Sequence, residues 1–325
     1  MILRYKSDIR TLTFVGLSFA INYGSLFYYD QIKSHTALLI LWIILACVMN
    51  FFVAVTVHNT IHVPIFRKKS WNKVYQYILS VVYGYSVSAY VPGHNLSHHK
   101  HLQTNKDTMR TTRARFHWNL LNQALFFFIV LKEVIQLESD FVKKMKKEKP
   151  AWYQQYQLEL FLVNLFKIGS LFIHWKASIL FIWLPNLYAV WGILGTNIWQ
   201  HDGCDENDPY NHSRSFTSPL LNFFIFNNGY HGVHHDKPCL HWSQLPAYHK
   251  KYIEPHLHPN LNRYSLLVYL FERNIWPGKR TDYLGNPMPI PAPSVSEDWI
   301  NEVQWAKDKG KEEYGAEDMD FIAAE

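Results

Sequence analysis

The sequence predicts an all-α integral membrane protein with two transmembrane helical hairpins, about four spans, and a histidine-rich helical cap on the cytoplasmic side. Of its 325 residues, 48% are apolar and 16% are aromatic. The mean hydropathy is nevertheless slightly negative, which is typical of a chain divided between lipid and water. The eighteen histidines are the third informative feature, because many of them fall at the ends of the apolar runs.

The first predicted hairpin has spans near residues 11–29 and 36–57. The second span contains 22 residues without a charge, enough to cross a hydrocarbon core about 30 Å thick. If the helix continues to His62, its last turns leave the membrane and carry His58 and His62 on one face. The span at 11–29 follows basic residues and lacks a small-residue cleavage site, so we expect a membrane helix rather than a removed signal peptide.

The second predicted hairpin has spans near residues 158–175 and 177–199, with almost no turn between them. Its exit places Asn197 and His201 four residues apart and therefore on one helical face. Between the hairpins, residues 74–90 are apolar but short, and they fit an interfacial helix better than a third span. Residues 118–137 form an amphipathic segment.

The domain prediction is a membrane domain over residues 1–277, followed by a different segment at 278–325. This last segment is Pro-rich at first and then mostly charged and acidic, a composition that predicts a loosely docked or partly disordered extension. Only three cysteines are present, without a Cys-x-x-Cys pair. They exclude a thiolate iron–sulfur cluster or a Cys-rich zinc module, and they fit a reducing compartment.

The basic residues of the short loops predict the orientation of the chain. The turns at 30–35 and 174–177 carry one lysine each, whereas the segments at 67–73, 100–115 and 143–149 are rich in Lys and Arg. Because cytoplasmic loops carry the excess of Lys and Arg, the histidine runs are predicted on the cytoplasmic side. We expect the lipid bilayer as a partner and no nucleic acid.

Three histidine runs and one helix-end histidine form the candidate metal site. Neutral imidazole is the commonest metal ligand in proteins, and nine imidazoles exceed the four ligands that one zinc ion takes. The count therefore favours two metal ions. No Glu-x-x-His or His-Glu-x-x-His pair is present, which argues against a carboxylate-bridged di-iron bundle and a zincin. The candidate ligands are His58, His62, His94, His98, His99, His201, His231, His234 and His235.

The three runs, His58-x-x-x-His62, His94-x-x-x-His98-His99 and His231-x-x-His234-His235, resemble the histidine boxes of the membrane fatty acid desaturase/hydroxylase superfamily. The resemblance extends from about residue 36 to 250. In the acyl-CoA desaturase branch, a further His and an Asn come from the fourth membrane helix, and Asn197-x-x-x-His201 is similar. The resemblance implies nine iron-binding histidines and a water-mediated metal contact for Asn197.

The resemblance also implies the reaction: an O2-dependent di-iron oxidoreductase that attacks an unactivated C–H bond of a fatty acyl chain, with desaturation as the leading reaction. Two departures keep other outcomes open. The first box reads His58-Asn59 where many acyl-lipid desaturases have His-Asp, and residues 103–107 are similar to carotenoid ketolases and to terminal-alkene-forming bacterial relatives. The alternatives are an acyl hydroxylase, an alkene-forming fatty acid decarboxylase, a carotenoid oxygenase, or a non-enzymatic membrane haem or metal-binding protein.

The predicted partners follow from what the reaction needs. Electrons are expected from a separate donor, such as ferredoxin or a b-type cytochrome with its reductase, because the sequence contains no haem or dinucleotide motif. The lysines at 143–149 are a candidate docking patch for an acidic donor. Each ligand histidine also needs an outer acceptor for its second ring nitrogen. The candidate acceptors are Asp107, Asp202 and Asp236.

Overall fold

A computed structural model describes residues 2–290, which are mostly helical with almost no strand. The described chain divides into two compact units. The first contains residues 2–91 and 140–193, and the second contains residues 92–139 and 194–290. The acidic part of the predicted tail, within 291–325, lies outside the described residues.

The first unit is built from long apolar helices. Helix α1 packs against α3, and α4 packs against both α3 and α7. A small apolar core that includes Ala46, Ala177 and Phe181 joins three of these segments. The elements are α1 (Asp8–Gly24), α2 (Tyr29–Lys33), α3 (Thr36–Thr60), α4 (Lys69–Tyr83), the end of α6 (Asn119–Glu148), α7 (Pro150–Ser178), a π-helix (Ile179–Trp183) and the start of α8 (Leu184–His201).

Within residues 2–290, three helical stretches are long and apolar enough to cross a membrane: Thr36–Thr60, Asn119–Glu148 and Pro150–His201. The last has 52 residues and would extend for ~78 Å if straight, more than twice the thickness of a hydrocarbon core. It is not straight, because the backbone of His174 leaves the helical conformation. Helix α7 then packs against the π-helix that follows it, as expected for the predicted hairpin.

One segment is longer than the sequence predicts, and another is, as predicted, short. The amphipathic segment at 118–137 is part of a 30-residue helix, α6, that is itself long and apolar enough to cross a membrane. Helix α4 (Lys69–Tyr83), which overlaps the region 74–90, has 15 residues, or ~22 Å of helix, which is too short to span a bilayer. It ends at Gly84, whose φ of 83° and contact with the side chain of Asn186 leave no room for a Cβ atom.

A buried carboxylate on α7 holds the turn that follows α4. Glu159 accepts hydrogen bonds from the Ser86 hydroxyl at 2.6 Å and from the backbone N–H and hydroxyl of Ser88, both at 2.9 Å. Gln155 donates a further hydrogen bond to Glu159 at 3.2 Å. Because buried backbone groups need partners, this carboxylate stabilises a non-helical turn inside an apolar unit.

The second unit is made of short elements around one two-residue parallel strand pair, in which Ser215 is opposite Asn262 and Phe216 is opposite Arg263. Residues 278–290 belong to this unit. Its elements, after α5 (Tyr90–Gly93) enters it, are a π-helix (His94–His99), a 3-10 turn (Thr111–Arg113), the start of α6, the end of α8, β1 (Ser215–Phe216), α9 (Pro219–Phe224), α10 (His231–Asp236), a 3-10 turn (Trp242–Gln244), α11 (Leu245–Tyr248), a π-helix (His249–Ile253), a 3-10 turn (Pro259–Leu261), β2 (Asn262–Arg263) and α12 (Leu266–Asn274).

Candidate metal centre

The second histidine run lies on a π-helix that continues directly from α5. In a π-helix the backbone hydrogen bonds join residues five apart, so side chains at i and i+5 come close to one face. His94 and His99 have this spacing, and their Nε2 atoms are 3.0 Å apart. Single π-helical turns are frequent at functional sites, and this one brings together two side chains that an α-helix would separate.

The three-histidine group consists of His94 and His99 of this π-helix and His234 of α10. The Nε2 atom of His99 lies 3.0 Å from that of His94 and 2.8 Å from that of His234. All three side chains are buried, and each has a ring nitrogen within 4.8 Å of the others. Two segments that are 135 residues apart in sequence therefore meet through their imidazoles.

The four-histidine group consists of His98, His201, His231 and His235. Their ring nitrogens also lie within 4.8 Å of one another, and all four side chains are buried. The Nε2 atoms of His201 and His231 are 2.8 Å apart, and the Nε2 of His235 is 3.2 Å and 3.1 Å from them. The group draws its members from the π-helix, the end of α8 and helix α10.

The chemistry of these contacts fits bound metal ions better than hydrogen bonds. Three ring nitrogens that approach one another cannot all be paired by shared protons. Ligand nitrogens at about 2.0–2.1 Å from one ion are separated by roughly 3.0–3.4 Å, close to the spacings found here. The Nε2 of His98 is buried and makes no hydrogen bond in the described structure, which leaves its lone pair available to an ion.

Burial also favours the protonation state that binds metal. The pKa of His235 is well below its usual value because burial penalises the cation, and His99, His231, His201 and His98 add to the effect. The imidazole is therefore neutral near pH 7, and neutral imidazole is the form that coordinates a metal ion.

Asp107 fixes the orientation of His98 from behind. Its carboxylate lies 2.9 Å from the Nδ1 of His98 and accepts the backbone N–H groups of Gln103 and Met109 at 2.9 Å and 2.8 Å. Burial alone would raise the pKa of Asp107, but His98 and these two amides hold the pKa below its usual value. A carboxylate in this place directs the Nε2 of the ligand histidine toward the metal.

His201 has a different outer partner: its Nδ1 lies 3.1 Å from the carbonyl oxygen of His212. No sequence motif marks His212 for this role, because a backbone acceptor carries no side-chain signal. Asn197, one turn before His201 on α8, is buried as well. The end of α8 therefore presents both predicted residues inside the second unit.

The other two candidate acceptors have other contacts. Asp202 forms ion pairs with Arg273 and Arg280 rather than with an imidazole, and Asp236 accepts the hydroxyl of Tyr248 at 2.7 Å. Burial, and then Arg280, lower the pKa of Arg273 to about 9, so it remains a cation near pH 7. No sequence motif predicts these two ion pairs, because both arginines lie more than 70 residues from Asp202 along the chain.

The remaining candidate ligands, His58 and His62, belong to the first unit. They lie in the last turn of α3 and in the turn that follows it, with ring centroids 5.5 Å apart. Both are buried. Burial and the neighbouring His58 hold the pKa of His62 well below its usual value. The imidazole of His62 is therefore also in the neutral, metal-binding form.

Comparison with known proteins gives one match. A family model described as fatty acid desaturase matches residues 34–266, a range that contains all nine candidate histidines and Asn197. No curated protein matches the chain.

Proposed function

Since the chain belongs to the fatty acid desaturase family, we propose that it is an O2-dependent membrane oxidoreductase that desaturates a fatty acyl chain at an unactivated C–H bond. The family is membrane-bound and acts on fatty acyl chains. The observation that carries the proposal is the convergence of seven buried imidazoles of the second unit into two groups with ring nitrogens about 3 Å apart.

The proposed ligand set is the nine histidines of the sequence pattern. The four-histidine group would hold one iron ion, and the three-histidine group would bind the other. His58 and His62 are the remaining proposed ligands of the iron pair. Asn197 would make a water-mediated contact with the metal pair. When bound, the iron pair supplies the O2-dependent oxidation of the C–H bond.

The protein's own residues prepare the site for this chemistry. Asp107 and the carbonyl of His212 hold the Nδ1 atoms of His98 and His201, so their Nε2 lone pairs face inward. Burial excludes bulk water, and it keeps His235 neutral. Because the proposed ligands are neutral, the protein would leave the positive charge of the metal ions uncancelled.

Desaturation removes two hydrogen atoms from the acyl chain, and the reduction of O2 to two water molecules needs two further electrons. We propose that a separate donor, ferredoxin or a b-type cytochrome with its reductase, supplies them. The lysines at 143–149 are the proposed docking patch, and exposed Lys143 and Lys144 support it. The proposed topology has four spans with the site on the cytoplasmic side, which the distribution of Lys and Arg supports.

The test is expression in a host with a generic reductase, followed by profiling of lipids and hydrocarbons. We expect a new double bond in the acyl chains, which a His234→Ala variant does not form. Other products would contradict desaturation. A new hydroxyl group would indicate an acyl hydroxylase, a shortened terminal alkene would indicate an alkene-forming decarboxylase, and an oxidised carotenoid would indicate a carotenoid oxygenase.

Metal analysis of the purified protein tests the cofactor separately. We expect two iron ions per chain and no Soret band. Detection of haem or of stoichiometric zinc would contradict the enzyme hypothesis. It would indicate a membrane haem or metal-binding protein instead.

A further inference from the structure

Helices α9 and α12 of the second unit have their polar side inward and their apolar side outward. Leu220 of α9 and Leu267 of α12 are 72% and 79% exposed, and Trp276 just beyond α12 is 74% exposed. Their neighbours Phe223, Val268, Phe271 and Ile275 are exposed too. On α12, the exposed positions 267, 268, 271 and 275 follow helical spacing and form one continuous face.

The inner faces are held by polar contacts. On α9, Asn222 is buried, donates to the carbonyl oxygen of Phe216 at 2.7 Å and accepts the backbone N–H of Gly229 at 3.1 Å. On α12, Arg273 is buried in its ion pair with Asp202. A helix with buried polar groups and exposed Leu and Phe is inverted relative to the surface helix of a water-soluble protein.

Helices α9 and α12 begin next to each other, shortly after the paired strands β1 and β2. Beyond β1 and β2, the backbone N–H of Thr217 donates to the carbonyl of Arg263 at 2.8 Å, and that of Ser218 donates to Tyr264 at 3.0 Å. Helix α9 then begins at Pro219, and α12 begins at Leu266 behind the cap of Ser265. Their outward residues therefore belong to one surface, which we call the α9–α12 face.

The α9–α12 face continues onto a helix that is apolar enough to cross a membrane. The indole N–H of Trp118 donates to the carbonyl of Asn274 at 3.2 Å, and Asn119 donates to the carbonyl of Arg273 at 2.9 Å. These contacts join the end of α12 to the start of α6, whose Leu120 and Phe128 are also exposed. Trp118, Tyr264 and Trp276 supply the aromatic side chains that favour the membrane–water interface.

We propose that the α9–α12 face inserts into the bilayer at the boundary between headgroups and acyl chains, with lipid acyl chains as its occupant. Each Å² of apolar surface that is exposed to water costs about 25 cal/mol of free energy. Contact with lipid acyl chains removes this cost without a partner protein. The proposal goes beyond the reaction and rests on the membrane residence of the family, not on iron binding. Through Arg273 and Asp202, the inserted helix would also be tied to the segment that carries His201.

The test uses the full-length protein in phosphatidylcholine nanodiscs. An environment-sensitive dye is attached to a single cysteine introduced as Leu267→Cys or Phe223→Cys, with exposed Cys239 replaced by serine. The matched control is Lys250→Cys, an exposed charged position of the same unit. Lipids that carry a nitroxide on an early acyl carbon serve as the quencher, and aqueous iodide serves as the opposing quencher.

We expect several-fold stronger nitroxide quenching at positions 267 and 223 than at 250, and the reverse order with iodide. Strong iodide quenching at 267 would overturn the proposal, because the face would then be in water. Protection from both quenchers would also overturn it, in favour of a protein or a second copy of the chain. Retained iron content and helical circular dichroism establish that each variant is folded.

Discussion

The two histidine groups of the second unit share the π-helix His94–His99 and helix α10, but only the four-histidine group also has a member from α8. The four-histidine group has four imidazoles, enough for one closed metal site, and fixed outer partners for His98 and His201. The three-histidine group has one imidazole fewer within the unit. Adjacent residues alternate between the groups: His98 and His235 belong to one, and His99 and His234 belong to the other. One short helix therefore contributes imidazoles to both groups, because consecutive side chains diverge from a shared backbone.

The largest expected effect comes from removal of one ligand from each proposed site. His235→Ala and His58→Ala should each abolish desaturation and lower the iron content from two to about one per chain, because each removes a ligand from a different ion. Iron analysis of the purified variants measures this. If His58→Ala retains both ions, then His58 is not one of the iron ligands.

An intermediate effect is expected for the outer partner of the four-histidine group. Asp107→Asn keeps the size of the side chain but weakens its hold on His98, and loss of such a partner typically costs ~10–100-fold in metal affinity or activity. Chelator competition measures the affinity. The matched control is Asp282→Asn, since Asp282 also accepts two backbone amides, from Leu284 at 2.9 Å and Asn286 at 2.8 Å. Equal losses of metal affinity in both variants would contradict this role. Asp107 would then only stabilise its own backbone turn.

The smallest effect on the metal site is expected from a buried carboxylate of the first unit, Glu159. Glu159→Gln removes one of the acceptors for Ser86 and Ser88, so the unfolding free energy should fall by about 1–3 kcal/mol. Iron content and chelator affinity should not change. Thermal unfolding in detergent measures the stability, with Glu148→Gln as the control, because its ion pair with Lys144 is exposed and contributes little. A loss of iron would show that Glu159 supports the site as well.

The sequence alone determined the candidate ligands, Asn197, the helical class and the family resemblance that the family match confirms. These are local features: charge-free runs, i, i+4 pairs and short motifs can be read without a fold. The i, i+3, i+4 spacing of His231, His234 and His235 predicts one helical face, but this spacing does not assign the three histidines to different groups.

The tertiary structure decided which groups meet. The π-helix brings His94 to His99 by a spacing that α-helical periodicity does not predict, and Asp202 meets arginines more than 70 residues away. The inverted polarity of α12 also becomes visible only when Arg273 is seen to be buried. Such contacts depend on how distant segments pack, and the side-chain pattern of one segment does not encode its partner.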